Sequence, residues 1–267
     1  MSRNGFYDWQ GRRESERAAE NGRLAAAIGE QYERSKGRSG SRKIHRSLKK
    51  QGWQVSHQRV ARRMRQLGLQ AIVNRRFWVW PTDSRHDQPV APNLLERCFT
   101  VAGPNQVWVG DITYLPTQQG WVYLAVFLDL YSRRVVGWAV SRSLGPELVL
   151  RALLQALSRR RPPRGLIIHT DRGVQYACGA FRALLRRYGL VQSMSRKGNC
   201  WDNAVAESFF HLLKTELVYH LHWQDHMDCY PDLFEYLEIF YNRERLHSTL
   251  GYLTPEQFER LTPRLCA

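Results

Sequence analysis

A mixed α/β sheet preceded by an all-helical segment is the fold class that this sequence predicts. Three observations predict it. Apolar residues recur at helical spacing in the first third of the chain, on a strongly basic background. Past a proline-bearing stretch the texture changes to alternating and apolar strand-like runs. Those runs come as three strands in succession, followed by strands that alternate with helices.

The 267 residues allow one to two domains with ample chain for a buried core. Formal net charge is +16, and it is uneven: residues 1–93 carry 20 Lys and Arg against 8 Asp and Glu, residues 94–267 carry 20 against 16. A basic front on a nearly neutral body points to a polyanion bound by an arm, with the chemistry on the body. The five cysteines (98, 178, 200, 229, 266) are odd in number and unpaired in spacing. That excludes a disulfide framework and a zinc knuckle, and fits a reducing cytosol. No apolar run approaches a membrane-spanning length and no signal-peptide core opens the chain, so a cytoplasmic protein without a membrane anchor is expected.

Element by element, residues 8–36 predict an exposed amphipathic helix on Leu24, Ile28 and Tyr32, broken by Gly37–Ser41. Ile44 and Leu48 mark a short helix. Gly52-Trp53-Gln54-Val55 makes a turn, Ser56 suits an N-cap, Val60, Met64 and Leu67 line a second helix, and Gly68 ends it. Two short helices around a glycine-bearing turn, about 40–69, read as a helix-turn-helix. The second carries His57, Gln58, Arg59, Arg62, Arg63 and Arg65, a cationic side suited to phosphates and base edges of double-stranded DNA. Residues 1–80 are thus a helical DNA-binding arm and 81–93 a linker. Val107–Leu115, Trp121–Leu130 and Arg134–Ser141 predict an antiparallel meander, and Pro146–Arg160 an amphipathic helix. Strand Gly165–Thr170, helix Ala180–Tyr188, strand Val191–Ser195, loop Lys197–Asp202, helix Asn203–Tyr219 and a last long helix over Pro231–Arg243 follow. Three antiparallel strands and then αβαβα is the element order of a ribonuclease-H-like fold with a five-stranded mixed sheet and flanking helices. Of the 9 Trp and 12 Tyr most belong to the core, with a few left to stack on bases.

Asp111 interrupts an apolar strand, and a buried carboxylate costs several kcal/mol unless it is paired or metal-bound. Asp171 ends the fourth strand, with Gly173 permitting a sharp exit. A fourth strand parallel to the first would aim both acids into one cleft. Asn203, Glu207, His211 and Lys214 share a helix face, which sets a third acid and a lysine together. Three carboxylates are what two divalent ions about 4 Å apart require for in-line phosphoryl displacement. Asp129 and Asp202 are further acids near this site, and Asn203 caps the helix of Glu207. His220, His222 and His226 are read as solvated or packing residues, and His169 as a support behind Asp171. His247 with Arg243 and Arg245 either faces DNA phosphates or caps the last helix.

The segments Trp108-Val109-Gly110-Asp111-Ile112-Thr113-Tyr114, His169-Thr170-Asp171-Arg172-Gly173-Val174-Gln175-Tyr176, Gly198 through Ala204, Glu207-Ser208-Phe209-Phe210 and Lys214-Thr215-Glu216 resemble bacterial insertion-sequence transposases of the orfB type. The run Tyr241-Asn242-Arg243, His247, Leu250-Gly251-Tyr252 and Thr254-Pro255 resembles their C-terminal signature. The resemblance implies a retroviral-integrase-like core over residues 94–260 with a tail at 261–267. It also implies an acid triad of Asp111, Asp171 and Glu207 holding two Mg²⁺ with Mn²⁺ as a substitute, and a DNA contact at Lys214. It further implies action as a homo-oligomer on terminal repeats and target DNA, and a partner reading frame that joins the chain by frameshifting.

The reaction so implied is cleavage and strand transfer at element ends. Water frees a 3′-hydroxyl, which then attacks a second phosphodiester. Two alternatives stay open at this point: a nuclease of the same fold without strand transfer, and a catalytically inactive DNA-binding regulator.

Overall fold

The computed structural model describes residues 15–72, 88–96, 100–196 and 200–261, with Cys200 and Trp201 described for their backbone alone. Residues 81–87 of the expected linker, the Lys197–Asn199 part of the expected loop and the 262–267 tail lie outside them. The chain divides into two compact units, one on each side of Val73.

The first unit holds three helices, α1 (Glu16–Arg34), α2 (Ser41–Lys50) and α3 (His57–Gln66). Ser15 caps α1 by accepting the Ala18 N–H at 3.2 Å, and Ser56 caps α3 by accepting that of Arg59 at 3.3 Å. Gly68 takes φ +66° just past α3, a conformation that costs a side-chain-free residue little. The expected exposed first helix is corrected. Leu24 and Ile28 of α1 are buried against Ile44, Leu48, Val60 and Met64 in one core. The reason is area: α2 and α3 bury two apolar side chains each, at about 1.5–3 kcal/mol apiece, too little for a pair of ten-residue helices to stand alone.

The second unit is built on a five-stranded sheet in the order β3-β2-β1-β4-β5. Strands β1 (Val107–Thr117), β2 (Gly120–Asp129) and β3 (Val135–Ser141) are antiparallel neighbours; β4 (Ile167–Thr170) and β5 (Val191–Met194) join them in parallel. Helices cover both faces. On one, α4 (Pro146–Arg160), the single turn α5 (Val174–Ala177) and α6 (Gly179–Tyr188) pack on Trp108, Ala125, Phe127 and Ile168. Gly137 lets α4 approach β3 closely, since a Cβ there would lie 2.3 Å from the Ala152 carbonyl. On the other face, α7 (Ala204–Glu216) and α8 (His226–Phe234) pack on Val107, Val109, Leu115, Val126 and Leu128.

Three sequence expectations shift. The long helix expected from Pro231 begins at His226, capped by Asp225, which accepts the N–H groups of Met227 and Asp228; past Phe234 it widens into a π-helical stretch, Glu235–Glu244. The helix expected from Asn203 begins at Ala204, after a 3₁₀ turn over Cys200–Asn203. A final helix, α9 (Pro255–Leu261), was not anticipated. Its signal was present as a capping box: Thr254 Oγ1 accepts the Gln257 N–H, and Gln257 Oε1 accepts that of Thr254, both at 3.2 Å.

Candidate active site

Along β1 side chains alternate between faces, so Asp111 projects on the side of Val107, Val109 and Leu115, the face that α7 covers. The parallel register pairs Val109 with His169 and Gly110 with Thr170, so Asp111 and Asp171 stand next in line on adjacent strands. Each anchors one oxygen on its own backbone: Asp111 Oδ1 accepts the Ile112 N–H at 2.8 Å, and Asp171 Oδ1 that of Gly173 at 2.9 Å. Glu207 lies in the first turn of α7, exposed, while Ala206, Phe209, Phe210 and Leu213 fasten that helix to the sheet.

The electrostatics link Asp111 to both of the other acids. Burial, and then the carboxylates of Asp171 and Glu207, push the Asp111 carboxyl well above the usual range, against the Ile112 N–H and the Lys214 ammonium. Partial burial raises Glu207 as well. Lys214 is lowered by burial and held up in part by the charge of Asp111. Tyr176, buried with no hydrogen-bond partner for its hydroxyl among the described residues, is raised by burial and by both aspartates. Among the described residues, no three His, Cys, Asp or Glu side chains close into a ready metal cage.

Behind the acids runs a buried polar support. His169 Nδ1 lies 2.9 Å from Ser193 Oγ, and its Nε2 lies 3.0 Å from the Asp202 carbonyl. The Asp202 carboxylate is fully buried and accepts from Asn93 Nδ2, the Arg196 N–H and the Arg196 guanidinium, at 2.9–3.0 Å. It therefore ties the segment before β1 to the turn before α7 and is spoken for. Asp129 is also engaged elsewhere: opposite Trp108, it accepts the N–H groups of Asn105 and Tyr131. Asn203 does not cap α7; its Oδ1 is buried without a partner among the described residues, because φ −117° and ψ 23° turn it away from cap geometry.

The candidate DNA contacts divide. On α3, Gln58 and Arg62 are exposed, but Arg59 turns inward to Glu20 and Asn21 at 3.0 Å, and His57 Nε2 lies 3.0 Å from Ser41 Oγ. Arg63 reaches Gln66 at 2.9 Å along its own helix. Arg243 is exposed, 4.0 Å from Glu256. His247 is corrected: it is buried edge-on to Tyr241, 4.9 Å between ring centroids, and presents nothing to a phosphate. Arg245 is likewise buried, in a forked pair with Glu216. Sequence reading missed that pair, since neither residue has a partner nearby in the chain.

Residues 19–77 match an HTH-like domain, and residues 101–200 and 207–262 match the integrase core domain. The chain is 44% identical, over 97% of its length and 90% of the relative's, to transposase InsF for insertion sequence IS3A of Escherichia coli K12. It is 41% identical, over 100% and 98%, to the 31 kDa protein of insertion element IS600 of Shigella sonnei. The chain belongs to the insertion-sequence transposases. Its fold is also that of a simian T-cell lymphotropic virus intasome chain, with a TM-score of 0.50 at 16% identity, covering 87% of this transposase and 74% of the viral chain. The transposase thus joins an HTH-like unit to an integrase core and is a polynucleotidyl transferase.

Proposed function

We propose that Asp111, Asp171 and Glu207 are the catalytic acids of this transposase, and that they hold Mg²⁺, with Mn²⁺ able to substitute, while DNA ends are cleaved and joined. The observation that carries the reading is the register of β1 with β4, which sets the two aspartates side by side under the helix of Glu207. The donor set fits the ion. Carboxylate oxygens suit a hard divalent cation, and acids whose mutual repulsion and burial raise their proton affinity gain most from a cation among them. Bound there, such ions supply positive charge to the attacking and leaving oxygens of an in-line displacement.

The chain's own part is positioning. The sheet fixes both aspartates, and the Ile112 and Gly173 N–H groups orient one oxygen of each. Lys214 adds a cation near the acids, suited to a phosphate of the bound strand. The three-helix unit supplies duplex affinity through Gln58, Arg62 and Arg63, and Arg243 adds a cation on the core. A homo-oligomer on DNA belongs to the reading, because joining needs two DNA segments held together.

The test is an isosteric series. Asp111→Asn, Asp171→Asn and Glu207→Gln should each lower cleavage and joining of a terminal-repeat substrate by more than about a hundredfold while DNA binding persists. Nicked but never joined products from wild type would leave a nuclease; more than a few per cent of wild-type joining in a variant would remove that residue from the triad.

A further inference from the structure

The first turn of α3 carries three polar side chains in succession, His57, Gln58 and Arg59, and the packing of the three-helix unit uses only two of them. His57 Nε2 lies 3.0 Å from Ser41 Oγ of α2. Arg59 reaches back to α1, where Glu20 Oε1 and Asn21 Oδ1 each accept from its guanidinium at 3.0 Å. Its own N–H donates to the Ser56 cap at 3.3 Å. Val60 and Met64, next along the helix, are buried in the core of the unit. Gln58 stands between these ties and is exposed, and its amide has no hydrogen-bond partner among the described residues.

Arg62 and Arg65 follow Gln58 at i+4 and i+7, on the side of α3 turned away from Val60 and Met64, and both are exposed. At 1.5 Å per residue they stand about 6 and 10 Å further along the axis. A neutral amide at the head of a row of cations adds nothing to the attraction for a polyanion, which charge supplies. It adds an acceptor and two donors side by side.

The cap and the bonds of His57 and Arg59 hold the first turn of α3 against α1 and α2, so Gln58 is presented from a fixed backbone. On binding, only its own side chain has to be ordered. In a helix-turn-helix, the match of this unit, the N-terminal residues of the second helix reach base edges in the major groove. Adenine offers an acceptor at N7 there beside a donor at N6, the complement of a glutamine amide. Guanine offers two acceptors, one of which would face the amide oxygen.

We propose that Gln58 reads an adenine in the major groove of the element's terminal repeats, its Nε2 donating to N7 and its Oε1 accepting from N6, while Arg62 and Arg65 hold phosphates beside it. The proposal rests on the reading that the three-helix unit binds duplex DNA.

The full chain is used to select from a pool of randomised duplexes, and the selected duplex and its single-base variants are then titrated. Wild type should select a sequence with an A·T pair whose replacement by G·C lowers affinity about 5- to 150-fold, the range of one bidentate contact. Gln58→Ala should erase the discrimination at that pair and keep the rest of the selected sequence. Gln58→Arg should move the preference there to G·C, because a guanidinium fits two acceptors. Arg62→Ala should instead weaken binding to every duplex alike and lower the salt slope by about one. The same selected sequence with the same discrimination in wild type and Gln58→Ala overturns readout by Gln58. So does an equal loss of affinity for all duplexes in that variant, which would make Gln58 a backbone contact. Arg62→Ala/Arg65→Ala with wild-type affinity and salt slope on the unselected pool would overturn duplex binding by the unit and the Gln58 assignment with it. Failure of the Gln58 variants alone leaves duplex binding standing.

Discussion

Glu216→Gln should cost the catalytic unit about 3–5 kcal/mol, the loss expected when one partner of a buried ion pair is removed and the other charge stays behind. The geometry puts this site at the strong end. The carboxylate takes Arg245 Nε at 2.9 Å and Nη2 at 2.8 Å, accepts the Tyr236 hydroxyl at 2.8 Å, and both side chains are less than a tenth exposed. Burial works against the Arg245 charge while its bonds to Glu216 support it; an arginine keeps its charge without such a partner, so Glu216→Gln leaves a buried guanidinium without its acid. For a unit of roughly 190 residues each kcal/mol moves the midpoint by about 2–4 °C, so scanning calorimetry of the full chain should find the core transition about 6–20 °C lower. The double variant Glu216→Leu/Arg245→Met removes both charges and should recover part of the loss. A cost below about 1 kcal/mol, or a double variant no better than Glu216→Gln, would refute the argument that this pair pins the end of α7 to the π-helical stretch.

Asp171→Asn should abolish turnover yet stabilise the metal-free protein by about 0.5–2 kcal/mol at pH 8, because it relieves a repulsion that raises Asp111. The sign follows from a folded-state proton affinity above the unfolded one: the contribution of Asp111 to stability is full below its ordinary pKa of 3.8 and is lost as pH rises through the higher folded value. The gain should therefore shrink as pH falls, and chelator-treated melts at pH 8 and pH 5 compare the two. Lys214→Ala should lower joining about tenfold or more with wild-type Mg²⁺ dependence, while Lys214→Arg keeps part of it. Unchanged joining in Lys214→Ala, followed on a gel that resolves joined products, would return Lys214 to a solvated role.

The fold was legible wherever local pattern and packing agree. The strands of the meander and the helix Pro146–Arg160 could be read from alternation and periodicity, because a half-buried strand and an amphipathic helix each write their period into the chain. The partnership of β1 with β4 could be stated only as a condition, since pairing across 60 positions is a tertiary fact. The role of α1 was misread for the same reason: Leu24 and Ile28 look alike whether a helix stands exposed or closes a core. At the site, the acids announced themselves by polarity out of place, and Asp111 is the clearest case. His247 and Arg59 deceived because a cation on a basic stretch suggests phosphate, and nothing local says that Tyr241 or Glu20 has already claimed it.

The central claim is that Asp111 and Asp171 together hold divalent ions, and Mn²⁺ binding followed by electron paramagnetic resonance on the DNA-bound chain tests it most directly. Wild type should bind Mn²⁺ in competition with Mg²⁺ and release protons as it binds, with affinity rising as pH climbs above 3.8, because the raised carboxyl must ionise to act as a ligand. Asp111→Asn and Asp171→Asn should each weaken that binding at least about tenfold, as loss of a charged ligand does. Equal Mn²⁺ affinity in wild type and both variants, with no proton release, would contradict the account.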